Sequence, residues 1–294
     1  MNTRTLDLPD ATLTYDIRGD LAAGTVPLLL IGSPMDASGF TTLASHFADR
    51  VVVTYDPRNA GRSRPADATA GVTAQQHADD LHALIDTLGS GQVDIFASSG
   101  GAVNGLELVA RHPGDVRTLV AHEPPAGDTL RDRENLRQVC SDMVSTYDAL
   151  GLGPAMAKFI ALVMHRGPVD DAYLAQPAPD PAAFGMSASD DGSRTDPLMS
   201  NMRGGGANYA PDVDAIRASS THVVIGVGEE SGGPVDGELA VRAGYAVAML
   251  LGSDPVVFPG GHAGFSGGEF GQTGRPDEFA ATLRSVLMVG GTPL

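Results

Sequence analysis

The chain has 294 residues, with 36 Asp and Glu against 19 Lys and Arg, for a net charge of −17. Nucleic acid and anionic membranes both require clustered cations, so this balance argues against either as a partner. At 42% hydrophobic and 19% charged residues, the composition is that of a globular protein able to bury a core. Its length allows one or two structural units. Cys140 is the only cysteine, which rules out an intrachain disulfide and a cysteine-based metal cluster. The opening MNTRTLDLPD has no apolar stretch of leader length, and no apolar run approaches the roughly 18 residues of a membrane span. A cytoplasmic location is the expectation.

In chain order, residues 3–8 and 12–18 alternate apolar and polar around Pro9-Asp10, which predicts a hairpin. Residues 26–31 form a continuous apolar run suited to a strand buried on both faces. A helical stretch carrying Phe40, Leu43, Ala44 and Phe47 follows, then a second buried strand at 51–55. Residues 73–88 read as a helix. Thr73 and Gln76 supply a capping box, Ala74, Ala78, Leu81, Leu84, Ile85 and Leu88 keep the helical period, and Gly89 ends it. A strand at 93–97, a helix at 101–111 and a strand at 116–122 continue the alternation, which implies a parallel sheet with helices on both faces.

The pattern breaks after Glu123-Pro124-Pro125. Residues 124–220 hold helix-like pieces at 136–150 and 154–165 and a stretch rich in Pro, Asp, Ala and Gly from 176 to 211. The alternation resumes with a strand at 221–228, a helix at 237–251, a strand at 255–258 and a helix at 276–288. The organisation predicted is an α/β core of residues 1–123 and 221–294, interrupted by a mostly helical segment at 124–220.

The strand at 93–97 runs into Ala97-Ser98-Ser99-Gly100-Gly101 before the next helix begins. A serine hydroxyl is a poor nucleophile unless a base lies within hydrogen-bond reach and donors face the oxyanion it creates. A strand-turn-helix exposes the side chain and offers the free N–H groups of a helix start. The turn crowds the positions two before and two after the nucleophile. Ala97 and Gly101 flank Ser99 at that spacing, whereas Ser98 would be flanked by Phe96, so the spacing selects Ser99.

These residues resemble the nucleophile elbow of the α/β-hydrolase family, usually Gly-x-Ser-x-Gly, with Ala97 in place of the first glycine. Tyr55-Asp56-Pro57-Arg58-Asn59-Ala60-Gly61-Arg62-Ser63 resembles the family's Asp-x-Arg-Gly-x-Gly-x-Ser turn and reads as scaffold. Asn59 there replaces a glycine, and asparagine tolerates positive φ. Ile31-Gly32-Ser33-Pro34 falls where the family often has His-Gly-x-Pro. The resemblance implies that the backbone N–H groups of Ser33 and Gly100 form an oxyanion hole.

The resemblance also implies a histidine base after the last strand. His262, in a glycine-rich loop, stands there. The acid has two candidates. The family usually carries Asp after the strand read at 221–228, but that position is Ser231, with Glu230 beside it. Some relatives instead carry Glu at the end of the strand preceding the insertion, where Glu123 stands. Glu123 is the preferred acid and Glu230 the alternative.

A serine nucleophile with an oxyanion hole implies attack on a carbonyl, an acyl-enzyme and release by water. The activity implied is hydrolysis of a small, largely apolar carboxylic ester, lactone or thioester beneath a helical cap. A cofactor-free perhydrolase or haloperoxidase, and a ligand-binding or signalling protein on the same fold, are the alternatives. Met35, His122, Met156, Phe159 and His165 are the substrate-lining candidates. Gly204-Gly205-Gly206 and Gly226-Val227-Gly228 complete neither a dinucleotide fingerprint nor a phosphate loop. No cofactor, metal, nucleic acid or membrane is expected. The partner expected is a small-molecule substrate, with a homodimer left open.

Overall fold

The computed structural model describes residues 1–289. Its strands are β1 (Asn2–Leu8), β2 (Ala11–Arg18), β3 (Leu28–Ile31), β4 (Val52–Asp56), β5 (Arg64–Pro65), β6 (Val93–Ser98), β7 (Val116–His122), β8 (His222–Gly228) and β9 (Val256–Phe258). Its helices are α1 (Thr41–Ser45), α2 (Ala74–Leu88), α3 (Gly100–Arg111), α4 (Arg133–Leu150), α5 (Leu152–Met164), α6 (Asp171–Leu174), α7 (Pro197–Arg203), α8 (Val213–Ala218), α9 (Leu239–Leu251) and α10 (Pro276–Val289). None of the helices among the described residues is long and apolar enough to cross a membrane. The expected end of the core at 294 lies outside the described residues.

The strands form one sheet in the order β1-β2-β4-β3-β6-β7-β8-β9, with the two-residue β5 paired to β2. Strands β1 and β2 form the antiparallel hairpin, and pairing is parallel from β4 to β9. Strand β3 has neighbours on both sides and alternates its apolar residues between two cores. Leu29 and Ile31 join Val53, Tyr55, Ile95 and Ala97 against Leu81 and Leu84 of α2 and Leu106 of α3. Leu28 and Leu30 join Val52, Phe96 and Val120 against Phe40, Phe279 and Leu283 on the other face. A strand read as uninterrupted apolar is therefore apolar because both of its faces are covered.

Helix α2 begins with the capping box: the Thr73 hydroxyl accepts from Gln76 N at 3.2 Å, and Gln76 Oε1 accepts from Thr73 N at 3.0 Å. Gly89, at φ 64°, ends it in the left-handed conformation that suits glycine. The turn after β4 is held by charge. Asp56 accepts from Ala37 N at 3.1 Å and from Arg62 N and Nε at 2.7 Å each. Asn59 takes φ 68°. Arg58 makes a two-pronged contact with Asp80 of α2, at 3.0 and 2.6 Å, with both side chains under a tenth exposed.

Between β7 and β8 the chain forms α4 to α8. Helix α4 packs on α5 and α7, and α5 also meets α9. Helix α7 lies within the 176–211 stretch that composition alone marks as irregular. Asp196 caps it by accepting from Met199 N at 3.1 Å, and Pro197 occupies its first position.

Removing one partner of the Arg58–Asp80 pair strands a buried charge, which costs about 3 kcal/mol or more. Asp80→Ala is expected to lower the urea midpoint correspondingly without loss of helical circular dichroism below the transition. Asp10, which reaches Arg58 at 2.8 Å but is more than half exposed, compensates only in part. A midpoint unchanged by Asp80→Ala would show that the pair does not anchor the turn.

Candidate active site

Strand β6 ends at Ser98, and Ser99 turns the chain into α3 with φ 57° and ψ −125°. A non-glycine residue at positive φ is strained and persists only where its surroundings enforce it. The two glycines that follow explain how the turn fits. A Cβ on Gly101 would stand 2.6 Å from Ile31 O and 2.8 Å from Gly32 Cα. A Cβ on Gly100 would overlap Ser33 O. The first turn of α3 therefore lies directly on the exit of β3. Gly100 is the first residue of α3, so its N–H has no carbonyl a turn earlier in the helix to receive it.

Strand β7 ends one residue before Glu123, which is fully buried and has φ 49°. Its N–H donates to Gly226 O at 2.9 Å, and its Oε1 accepts from Gly228 N at 2.8 Å, so β8 holds both its backbone and its carboxylate. Its Oε2 meets His262 Nδ1 at 2.5 Å. That contact leaves Nε2 as the ring nitrogen free to act elsewhere. Burial would raise the Glu123 carboxyl, but the His262 hydrogen bond and the neighbouring imidazoles outweigh it and pull it to about 2. Enclosure would depress His262, yet the hydrogen bond from Glu123 and its charge hold the imidazole above its ordinary 6.5.

Ser99 and His262 line the same cavity, of about 490 Å³. That volume suits a small molecule. No hydrogen bond joins Ser99 Oγ to His262 among the described residues, and such contacts are often long before substrate binds. One wall of the cavity comes from α5 and α7, through Phe159, Leu162, Val163, Leu198 and Met202. Ser33 and Gly100 sit at its floor. From α7, Asn201 Nδ2 donates to Ser33 Oγ at 2.9 Å, while its Oδ1 meets Nε2 of the buried His77 at the same distance.

Several expected residues lie elsewhere. Of the lining candidates, Phe159 reaches the cavity, whereas Met35, His122, Met156 and His165 do not. Met35 folds back over Gly32 and Gly39, which have no Cβ to exclude it. His122 is fully buried behind the site, in a cage formed by Phe96, Phe258 and Phe279. Neither of its ring nitrogens has a partner, and burial drives its pKa down to about 4. Met156 turns toward the helical core. The His165 ring lies 4.7 Å from that of Tyr173, tilted by 58°, and its Nε2 meets Pro168 O at 3.0 Å. The alternative acid, Glu230, is exposed, and no contact joins it to His262 among the described residues.

The cavity also has lining residues that the sequence reading passed over: His77, Asn104, Asn201, Tyr209 and Glu238. For His77 a signal existed. It lies three residues after Ala74 and four before Leu81, on the apolar face of α2. Asn201 and Tyr209 lie in the irregular stretch, where no period marks a buried side.

His82, His112 and Asp115 come within 4.8 Å of one another away from the cavity, a grouping that the sequence reading did not anticipate. His82 meets Asp115 at 2.7 Å and His112 meets Asp79 at 2.9 Å. The two rings lie parallel, 3.9 Å apart and 5° from coplanar orientation. Their in-plane lone pairs thus run side by side instead of converging on one ion.

A family model described as alpha/beta hydrolase fold matches residues 28–182. The chain belongs to this family. It is 39% identical over 125 residues to an uncharacterized hydrolase, YraK, of Bacillus subtilis (strain 168), covering 42% of this chain and 45% of that one. It is 30% identical over 140 residues to a 2-(acetamidomethylene)succinate hydrolase of Mesorhizobium japonicum, covering 45% of this chain and 49% of the other. The chain thus spans under half the length of these curated relatives. Among solved structures it resembles a thermophilic esterase from Thermogutta terrifontis, with TM-score 0.66, 19% identity and coverage of 99% and 100%. It likewise resembles the enol-lactonase from Burkholderia xenovorans LB400, with TM-score 0.66, 18% identity and coverage of 97% and 100%. At those identities the likeness is one of fold.

The electrostatics give a direct expectation for the α/β-hydrolase-fold chain. By histidine-ring NMR, His262 is expected to titrate above 6.5. In Glu123→Gln its midpoint falls, because the charge and charge-assisted bond favouring the imidazolium are lost. His122 is expected to remain neutral down to the acid range. A His262 midpoint that does not move in the variant would show that the two groups are not coupled.

Proposed function

We propose that the protein is a cofactor-free serine hydrolase that cleaves a small, largely apolar carboxylic ester, lactone or thioester. The observation that carries this reading is the Glu123–His262 contact of 2.5 Å, which fixes an imidazole at the cavity that Ser99 lines. In this reading residues 1–123 and 221–294 are the catalytic core, and 124–220 are a cap that supplies much of the apolar wall. The hydrolase names of the sequence relatives agree with it.

Ser99 Oγ attacks the substrate carbonyl as His262 Nε2 takes its proton. The N–H groups of Ser33 and Gly100 receive the negative charge that develops on the carbonyl oxygen. Collapse of the tetrahedral adduct expels the leaving group, which takes the proton back from Nε2. Water then attacks the Ser99 ester while giving a proton to His262 Nε2, and the acid product leaves as Ser99 Oγ takes that proton back. Glu123 takes no proton. It holds the Nδ1–H tautomer and stabilises the imidazolium in each half-reaction. Placing a charge so close to the imidazole favours proton uptake from serine, but it also means that His262 is already protonated at mildly acidic pH.

Turnover of p-nitrophenyl butyrate tests this reading. Ser99→Ala is expected to lower kcat by about 10³-fold or more, and Glu123→Gln by about 10²-fold or more. Glu230→Gln is expected to stay within about twofold, the usual range for a solvated side chain. The acid limb of kcat/KM should lie above 6.5, because only neutral His262 accepts the serine proton. A fluorophosphonate should label wild type on Ser99 and leave Ser99→Ala unlabelled. Greater damage from Glu230→Gln than from Glu123→Gln would move the acid to the later loop. Tight ligand binding without turnover would favour the binding-protein alternative.

A further inference from the structure

The charge pattern of the cavity is one-sided. Among its described lining residues Glu238 is the only carboxylate, and no Lys or Arg is present. Glu238 occupies the N-cap position of α9 at φ −66° and ψ 164°. That position favours short side chains that accept from the free N–H groups of the helix. Glu238 makes no such bond. Its nearest cation is Arg166, at 3.5 Å, whose side chain is 53% exposed and which also donates to Glu230 O at 2.9 Å. The carboxylate is thus not spent on its helix, and its ion pair is a long one with a half-exposed arginine.

Two further facts bear on the electrostatics around this carboxylate. Burial, together with the charge of Glu123, raises the Glu238 carboxyl above its ordinary value, and the pull of Arg166 and His262 does not cancel that rise. The whole chain adds a net charge of −17. Above the His262 midpoint, where that imidazole is neutral, a ligand carboxylate would therefore enter a cavity that already holds one partly desolvated anion and backs onto another, with no Lys or Arg among its described lining residues to receive it. Clefts lined by one sign of charge concentrate ligands of the other sign and repel their own.

Resting on the hydrolytic reading of this site, we propose that Glu238 is its specificity-determining residue for charge. It admits acyl substrates that are neutral or cationic and rejects those that carry a carboxylate. The apolar wall from α5 and α7 sets preference by shape, and Glu238 sets it by sign.

The test compares two esters with the same leaving group and similar acyl length, p-nitrophenyl butyrate and p-nitrophenyl hemisuccinate, at low ionic strength. Wild type is expected to favour the butyrate in kcat/KM by about tenfold or more. Glu238→Gln should shrink that ratio by about fivefold, Glu238→Lys should shrink it further, and Glu238→Asp should keep it. Glu229→Gln serves as the control for overall charge. Its carboxylate is exposed and paired with Arg275, and the ratio should not move. A wild-type ratio near one, or a ratio unchanged in Glu238→Gln, overturns the proposal, as does an equal change in Glu229→Gln. Binding of the two intact esters to Ser99→Ala protein gives a readout independent of turnover. If wild type cleaves neither ester yet Ser99→Ala binds the butyrate more tightly, and Glu238→Gln in that background removes the preference, the hydrolytic reading fails and charge selection stands. If the esters are cleaved but bind and react alike, the hydrolytic reading stands and charge selection fails.

Discussion

The site depends on one close approach, that of the first turn of α3 to the end of β3. Only hydrogen atoms fit where side chains at 100 and 101 would begin, because Ser33 O and Ile31 O occupy that space. The contact explains why Ser99 can be held at φ 57°. The strand fixes the chain before it, and the pressed helix start fixes the chain after it. It also sets the start of α3 against Ser33. A serine lifted from the sheet and a helix start beneath it are consequences of one packing constraint.

The second element of the site is a carboxylate that comes from β7. Strands β7 and β8 run parallel and in register with His122 opposite Gly226, so β8 extends past the end of β7. A side chain one residue past β7 therefore lies beside the last residues of β8. Glu123 uses that placement, spending one carboxylate oxygen on Gly228 N and the other on His262. Position 231, where the family resemblance would put an aspartate, is a buried serine beside Gly228. A second carboxylate there would confront Glu123 in a nearly dry pocket, and two like charges so placed cannot both stay ionised. The choice of one strand for the acid thus excludes the other. Burying His122 as a neutral ring behind the pair avoids the same conflict on the cationic side.

Much of this was legible in the residues because it rests on local rules. The capping box of α2, the doubly buried β3 and the Ala97–Gly101 spacing each state their structure within a few positions. What could not be read depends on long-range packing. Met156 and His165 lie on helices whose existence was plain, but periodicity shows only that a helix has an apolar face, not which cavity that face meets. His122 lies at the carboxyl end of a central strand, where ligands usually bind, yet strand alternation turns it to the opposite face of the sheet from Ala121. Helix α7 escaped notice because a seven-residue helix is too short to show a period, although its Asp196-Pro197 start is a recognisable signal.

The same helix shows how the two parts of the chain are joined at the site. Asn201 spends its amide on both sides at once, donating to Ser33 on the exit of β3 and accepting from His77 on α2. Displacing α7 would break the hydrogen bond from Asn201 to the Ser33 hydroxyl. His77 is held neutral by its burial, so the Nε2–H that Asn201 accepts is shared without introducing a charge. The cavity lining from α7 and that from the β3 exit are therefore not independent surfaces. They meet at Ser33, where the Asn201 amide ties α7 to the exit of β3 and to α2.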